Sequence, residues 1–170
     1  MTSLPEVLQG KPVNDSLKPI LWIVGTWEAT AGKGSFPTIN PFTYCERIQF
    51  SSFGQPFLNY SSHSWHPEKK VAMHMETGYL RIKPGTDQVA FMVAHNFGLT
   101  SLEEGNISGN QVSLKSTQIS RMSWAKEPEV TKLERTWSLN DDGTLEQVVF
   151  METKTSSLCE HLRIKYKKID

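Results

Sequence analysis

Apolar and polar residues alternate with a period of two along most of this chain. The pattern is clearest in 42-FTYCERIQF-50, where Phe42, Tyr44, Ile48 and Phe50 share one face of an extended segment. A period of two is typical of a β-strand with one buried face. Comparable stretches predict about ten strands along the chain: 26–31, 42–50, 57–65, 71–82, 88–96, 99–105, 111–119, 130–139, 144–153 and 158–169.

One short helix is predicted ahead of the first strand. Leu17, Ile20 and Val24 recur at helical spacing, and Asp15 or Ser16 can cap the first turn. After this segment the helical signals nearly vanish. We therefore divide the chain into an N-terminal extension, residues 1–16, and one β-domain, residues 17–170.

Turn-forming residues separate the predicted strands, as in 140-NDDG-143. Consecutive antiparallel strands with short turns favour an all-β, up-and-down barrel, because closure removes exposed strand edges. The architecture expected is a ten-stranded antiparallel barrel like those of lipocalins and fatty-acid-binding proteins, with a short N-terminal helix. A barrel of this size can enclose one small ligand.

Composition excludes several partners. Lys+Arg and Asp+Glu are both 18, so the formal charge is zero, which argues against nucleic acid and anionic membrane as partners. The N-terminal segment lacks the pattern of a secretory signal. Two cysteines, Cys45 and Cys159, belong to no CxxC pair and are expected to stay thiols in a reducing compartment. The predicted location is the cytoplasm, with the nucleus as the alternative.

Few stretches resemble a known catalytic motif. The sequence has no HExxH, GxSxG, Walker loop or GxGxxG after a strand. The glycine-rich stretch 32-GKGSFP-37 ends in proline, so we interpret it as a loop. The carboxylate pair Glu103–Glu104 lies beside Gly105 and is interpreted as solvated.

The histidines each have an ordinary reading beside a functional one. Strict alternation in 158-LCEHLRIKYKKI-169 places His161 on the same face as Arg163, which is typical of a surface residue. His74 and His95 lie in apolar strands, where a hydrogen-bonded interior histidine is the ordinary interpretation. Met73 fits either a core gap or the wall of a cavity for a flat apolar ligand.

Several segments, taken in order, resemble the nitrobindin family, including the domain fused to a THAP zinc finger in some animal proteins. The similarity runs from about residue 17 to the C-terminus. The segments that carry it are 25-GTWEATAGKGSFPTI-39, 41-PFTYCERIQF-50, 54-GQPFLNYSSHSWHP-67, 73-MHMETGYLRIKP-84, 94-AHNFG-98 and 161-HLRIKYKK-168.

The resemblance implies a ten-stranded barrel that holds a b-type haem. The family's axial histidine matches His161, and the threonine of its FPTI loop matches Thr38. Met73, His74 and His95 match the distal side of the haem. Many family members have glutamine where this chain has His95.

Two strand positions depart from the family pattern. Ala29 and Ala31 replace glycines, and Phe36 stands where tyrosine is common. His161 and Thr38 themselves match the family pattern. The departures therefore concern the fine shape of the pocket rather than the fold.

The activity implied by the resemblance is that of a ferric haem protein. Such a protein binds nitric oxide and isomerises peroxynitrite to nitrate, with the haem iron rather than a side chain as the catalytic group. The alternative is a non-catalytic carrier of a lipophilic molecule such as a fatty acid, which would need a buried cation. Candidates for that cation are Arg81, Arg121, Arg135 and Arg163. A signalling module without a specified protein partner is a third reading.

Overall fold

Ten antiparallel strands close into one barrel in the computed structural model of this chain, which describes Glu6 and residues 10–170. This confirms the predicted fold class. The strands are β1 (Gly25–Phe36), β2 (Ile39–Ser51), β3 (Phe57–Trp65), β4 (Ala72–Ile82), β5 (Gln88–His95), β6 (Leu99–Ser108), β7 (Gln111–Arg121), β8 (Val130–Leu139), β9 (Leu145–Thr153) and β10 (Ser156–Lys168).

Each strand pairs with its neighbours along the chain, and the barrel closes where β1 meets β10. In that closing pair Trp27 lies opposite Lys168 and Gly34 lies opposite Leu162. At the two positions that depart from the family pattern, Ala29 is buried in the core and Ala31 is exposed. Closure leaves every strand paired on both sides, which is the arrangement that short turns between alternating segments favour.

A 3₁₀ helix, Asp15–Ile23, precedes the first strand. Its cap is Asn14, whose side-chain oxygen accepts the N–H of Ser16 at 3.0 Å, rather than Asp15 or Ser16 as expected. The helix is pinned to β1 because Trp27 donates its indole N–H to the carbonyl of Ile23 at 2.8 Å. The predicted extension, residues 1–16, falls largely outside the described residues and stays a prediction. No helix within the described ranges is long and apolar enough to cross a membrane.

The interpretation of 32-GKGSFP-37 as a loop is wrong, because β1 continues to Phe36. A Cβ on Gly34 would lie 2.1 Å from a ring carbon of Phe42, and one on Gly32 would lie 2.7 Å from the ring of Tyr44. These glycines therefore let the aromatic side chains of β2 cross the backbone of β1. Their role is close packing within a strand rather than a turn.

An aromatic core fills part of the barrel and supports the polar residues above it. The Trp137 ring lies 5.2 Å from Phe50, 5.3 Å from Phe91 and 5.9 Å from Tyr60, measured between centroids. All four are buried. The indole N–H of Trp137 donates to the side-chain oxygen of Gln147 at 2.6 Å, so the apolar core ends in a polar layer.

Candidate functional site

A cavity opens from the polar layer of the barrel towards solvent. Its empty volume is about 800 Å³, the open mouth included. His74, His95 and His161 all line it. The apolar part of the wall consists of Phe42, Phe97, Leu99, Val130, Leu133, Val149, Met151 and Leu162.

His161 is oriented by a backbone carbonyl of the neighbouring strand. Its Nδ1 lies 3.0 Å from the carbonyl oxygen of Ser35. A carbonyl only accepts hydrogen bonds, so Nδ1 carries the proton and Nε2 keeps a free lone pair. The ring packs edge-on against Phe36 and Phe42, at centroid distances of 5.5 and 6.3 Å. Burial lowers the pKa of His161, which favours the neutral imidazole that binds metals.

A β-bulge turns His161 towards the cavity. On β9, Phe150 pairs with Glu160 and Val149 pairs with Leu162, so His161 is the extra residue of β10. A bulge places two successive residues of the longer strand opposite one residue of its partner and re-aims their side chains. His161 and Leu162 consequently both line the cavity. The surface position expected from strict alternation is wrong because the alternation shifts by one residue here.

A buried ion pair lies deeper in the same cavity. Arg135 donates two hydrogen bonds to the carboxylate of Glu76, at 3.0 and 3.1 Å. The hydroxyl of Tyr60 donates to the same carboxylate at 3.0 Å. Arg135 is 3% exposed, so this bidentate pair is shielded from water and fixes both side chains.

Glu103 belongs to this cluster, and its interpretation as solvated is wrong. It is 1% exposed. The hydroxyl of Ser101 donates to it at 2.9 Å, and its other oxygen lies 3.4 Å from Nε of Arg135. Because β6 runs on to Ser108, Glu103 lies inside a strand with an inward side chain rather than beside a turn. Glu104 is exposed, as expected.

The pKa values of the buried carboxyl groups of Glu76 and Glu46 shift in opposite directions. Burial by itself would raise the pKa of Glu76, but Arg135 and His95 hold that pKa well below its usual value. Among the residues that the structure describes, no cation forms a hydrogen bond with Glu46, and burial raises the pKa of Glu46 to about 6 despite hydrogen bonds from Ser62 and Tyr166. The cavity therefore keeps an ionised carboxylate at Glu76, locked by Arg135.

The residues predicted for the distal side lie together on the cavity wall. Nε2 of His74 is 3.1 Å from Nδ1 of His95, and Met73, which is 37% exposed, lies at the rim. Burial lowers the pKa of His74 to about 4, so its imidazole is neutral at pH 7. Thr38 lies in the exposed turn between β1 and β2 and is not among the cavity residues. Its contact with haem stays a prediction.

Glu76 was missed by sequence reasoning, although one signal was available. In β4, His74, Glu76 and Leu80 share one face, and Leu80 is fully buried. A glutamate in register with a buried leucine is expected to point inward. Glu46 and Gln147 were also missed, whereas Arg135 was named from the sequence only as a candidate cation for a fatty-acid carrier.

Comparisons with known proteins identify a matching family and several similar proteins. The family described as "THAP4-like, heme-binding beta-barrel domain" matches residues 16–168. The chain is 44% identical over 167 residues to "Peroxynitrite isomerase THAP4" of Rattus norvegicus, covering 98% of this chain and 29% of that protein. It is 33% identical over 163 residues to "Peroxynitrite isomerase Rv2717c" of Arabidopsis thaliana, covering 95% of this chain and 93% of that protein.

A solved structure agrees with the architecture. The crystal structure of Rv2717c from M. tuberculosis superimposes with a TM-score of 0.83 at 29% identity, covering 94% of this chain and all of that one. The chain spans about 29% of the length of the THAP4 relative from rat. The family match over nearly the whole chain and the shared barrel confirm the resemblance seen in the sequence: this chain belongs to the THAP4-like haem-binding β-barrel family, the nitrobindins.

Proposed function

We propose that this chain holds a ferric b-type haem through His161, binds nitric oxide and isomerises peroxynitrite to nitrate. The observation that carries the proposal is the hydrogen bond between Nδ1 of His161 and the carbonyl of Ser35. This hydrogen bond leaves Nε2 of a neutral imidazole free to bind a metal, in a cavity with a largely apolar lining. Relatives named peroxynitrite isomerase in rat and Arabidopsis support the reaction assigned.

The residues present fit a haem group. A metal-bound histidine usually donates its second ring N–H to a carbonyl or carboxylate, which fixes the tautomer and the ring orientation. Ser35 supplies that carbonyl here. Leu133, Val149 and Leu162 offer apolar surface beside the histidine, and apolar surface is what a porphyrin ring buries.

His161 would hold the haem, and the bound haem would supply an iron centre able to bind nitric oxide and to carry the electron rearrangement that converts peroxynitrite to nitrate. The chain's own residues perform the remaining tasks. His161 would bind the haem iron, the carbonyl of Ser35 would orient the His161 imidazole, and the apolar wall would exclude water. We assign Thr38 a positioning contact with haem, and Met73, His74 and His95 the opposite side of the ligand space.

The test is a titration of the purified chain with hemin, followed by absorption spectroscopy. Wild type should give a saturable one-to-one Soret band, and His161→Ala should lose it. His63→Ala is the matched control, because His63 is an exposed residue of β3 outside the cavity lining and its loss should leave the Soret band unchanged. Stopped-flow decay of peroxynitrite then measures the isomerase rate of the loaded protein. An unchanged spectrum and rate in His161→Ala would refute the proposal.

The cavity does not favour the alternative of a fatty-acid carrier. Arg135 is the candidate cation that lines the cavity, but Glu76 already binds it with two hydrogen bonds and Glu103 lies beside it. Arg121 and Arg163 pair with carboxylates outside the cavity, and Arg81 is exposed. A fatty-acid carboxylate would therefore meet excess negative charge. Displacement of an anionic fluorescent lipid by oleate should accordingly be absent.

A further inference from the structure

Three potential metal-ligand atoms from β4 and β5 converge on one point of the cavity wall. His74 and Glu76 are two residues apart on the inward face of β4, and His95 of β5 is the register partner of Glu76. Nε2 of His74, Nδ1 of His95 and Oε1 of Glu76 form a triangle with sides of 3.1, 3.2 and 3.5 Å. The sheet itself therefore holds the three atoms together.

The proton positions decide what this triangle can hold. The carboxylate of Glu76 only accepts, and each of the two ring nitrogens carries at most one proton. If both nitrogens are protonated, both N–H groups can donate to Glu76. If one or neither is protonated, at least one side of the triangle joins two lone pairs, at a separation of 3.1 to 3.5 Å. A cation between the three atoms would bind those lone pairs.

We propose that His74, Glu76 and His95 bind one divalent transition-metal ion of the class of Zn²⁺ or Fe²⁺, with its remaining coordination positions open to the cavity. Tetrahedral ligands about 2.0–2.1 Å from zinc lie about 3.3 Å from one another. The three observed separations bracket that distance. Two histidines and one carboxylate on one face, with open positions opposite, are also the ligand set of non-haem iron sites.

The surroundings of two of the three ligands suit a metal site. Nε2 of His95 lies 3.5 Å from the hydroxyl of Ser101, which itself donates to Glu103 at 2.9 Å. The second oxygen of Glu76 accepts from Tyr60 and Arg135, each at 3.0 Å, and Oε1 also accepts from Arg135 at 3.1 Å. Such outer contacts orient metal ligands and contribute to metal affinity.

The ionisable residues buried inside the barrel, among those that the structure describes, include more carboxyl groups than cations. Three carboxyl groups, Glu46, Glu76 and Glu103, lie inside the barrel with one guanidinium, Arg135. Glu46 connects to the others through Tyr166 and Gln147. When all three carboxyl groups are ionised, the group carries a net charge of −2, which a divalent ion would balance.

The proposed ion would share the ligand space of His161, because both sets of residues line one cavity. A small ligand held there would meet two metal centres rather than one. The metal site does not depend on haem, since none of its three ligands is His161. It can therefore be tested in the haem-free chain, and its failure is separable from failure of the haem proposal.

The test titrates the haem-free chain with Co²⁺, a spectroscopic substitute for Zn²⁺, and records visible absorption. Wild type should bind one equivalent, which Zn²⁺ displaces. His74→Ala and His95→Gln should weaken binding at least about 100-fold, and Ser101→Ala about 10–100-fold as an outer contact. His63→Ala, at an exposed position of β3 outside the cavity, is the matched control and should keep wild-type affinity. His74→Ala is the primary variant because its side chain is 34% exposed and its removal should spare the fold.

Two results would overturn the proposal. One is the absence of saturable Co²⁺ binding to wild type. The other is wild-type affinity for Co²⁺ in both His74→Ala and His95→Gln. Thermal unfolding of each variant by circular dichroism shows that any lost affinity is measured on folded protein. A parallel hemin titration of His74→Ala, expected to keep its Soret band, separates loss of the ion from loss of haem.

Discussion

Arg135 and Glu76, which are 59 residues apart in sequence, form two hydrogen bonds of 3.0 and 3.1 Å inside the barrel. The pair joins β8 to β4 across the interior of the barrel. Glu103 adds a second carboxylate 3.4 Å from the same guanidinium. One arginine thus compensates two inward-facing acids, and the cavity keeps its shape only while this compensation holds.

Arg135→Leu should destabilise the fold by about 3–5 kcal/mol, because removal of one partner leaves buried charge uncompensated. Chemical denaturation followed by circular dichroism measures the free energy of unfolding. Adding Glu76→Gln and Glu103→Gln to the same variant should recover part of the loss, since the unpaired charges are then gone.

Arg163→Leu is the control for that change. Arg163 pairs with Glu160 and Glu146 on the outer face of the barrel and is 45% exposed. Exposed ion pairs contribute little, so this substitution should cost less than about 1 kcal/mol. An equal decrease in the free energy of unfolding of the two variants would show that the interior ion pair stabilises the fold no more than the exposed one.

Glu46 should make stability fall as pH rises from 4.5 to 6. Burial raises its pKa from 4.5 to about 6, so the folded state binds more protons than the unfolded state within this interval. The free energy of unfolding contributed by Glu46 therefore decreases by about 2 kcal/mol across it. Glu46→Gln should lack this decrease, which denaturation of both proteins between pH 4.5 and 7 would reveal. Parallel pH profiles would contradict the assignment.

The order and number of the strands follow from the sequence because one face of nearly every strand is buried. Alternation cannot show where a strand gains a residue, so the bulge at His161 was invisible to it. It also cannot distinguish a glycine in a turn from one under an aromatic ring, as at Gly32 and Gly34. Long-range compensation of Glu103 by Arg135 required the folded structure.

The sequence likewise predicted some residues of the candidate site and not others. The family resemblance singled out His74, His95 and His161, and the structure brings all three to one cavity. The carbonyl that orients His161 belongs to Ser35, and backbone partners leave no mark on side-chain identity. Glu76 lies within the segment 73–84 that carries the resemblance, but its partner Arg135 is 59 residues away and is identified only in the folded structure.

Gly34→Ala should displace Phe42 and disturb the cavity wall. The added Cβ would lie 2.1 Å from a Phe42 ring carbon, and Phe42 lines the cavity and packs against His161. Overpacking of this kind costs about 1–3 kcal/mol. The measurements are the free energy of unfolding and the affinity for hemin, both of which should fall.

A second substitution tests that explanation. Phe42→Leu removes the ring that meets the new Cβ, so Gly34→Ala should cost less in a Phe42→Leu background than in wild type. The same cost in both backgrounds would mean that another contact, such as the pairing of Gly34 with Leu162, sets the penalty.

His161→Gly should lose high-affinity hemin binding and regain the Soret band when free imidazole is added. The substitution opens space beside the Ser35 carbonyl and the Phe36 and Phe42 rings, which a free imidazole can occupy with its N–H on the same carbonyl. Absorption spectra with and without imidazole measure the effect, and His63→Gly, at an exposed position of β3 outside the cavity, serves as the control without response. Rescue separates an axial ligand from a residue that merely supports the fold, because imidazole restores the former alone. Full hemin affinity in His161→Gly without imidazole would assign the iron to another side chain of the cavity, of which His74 and His95 are the candidates.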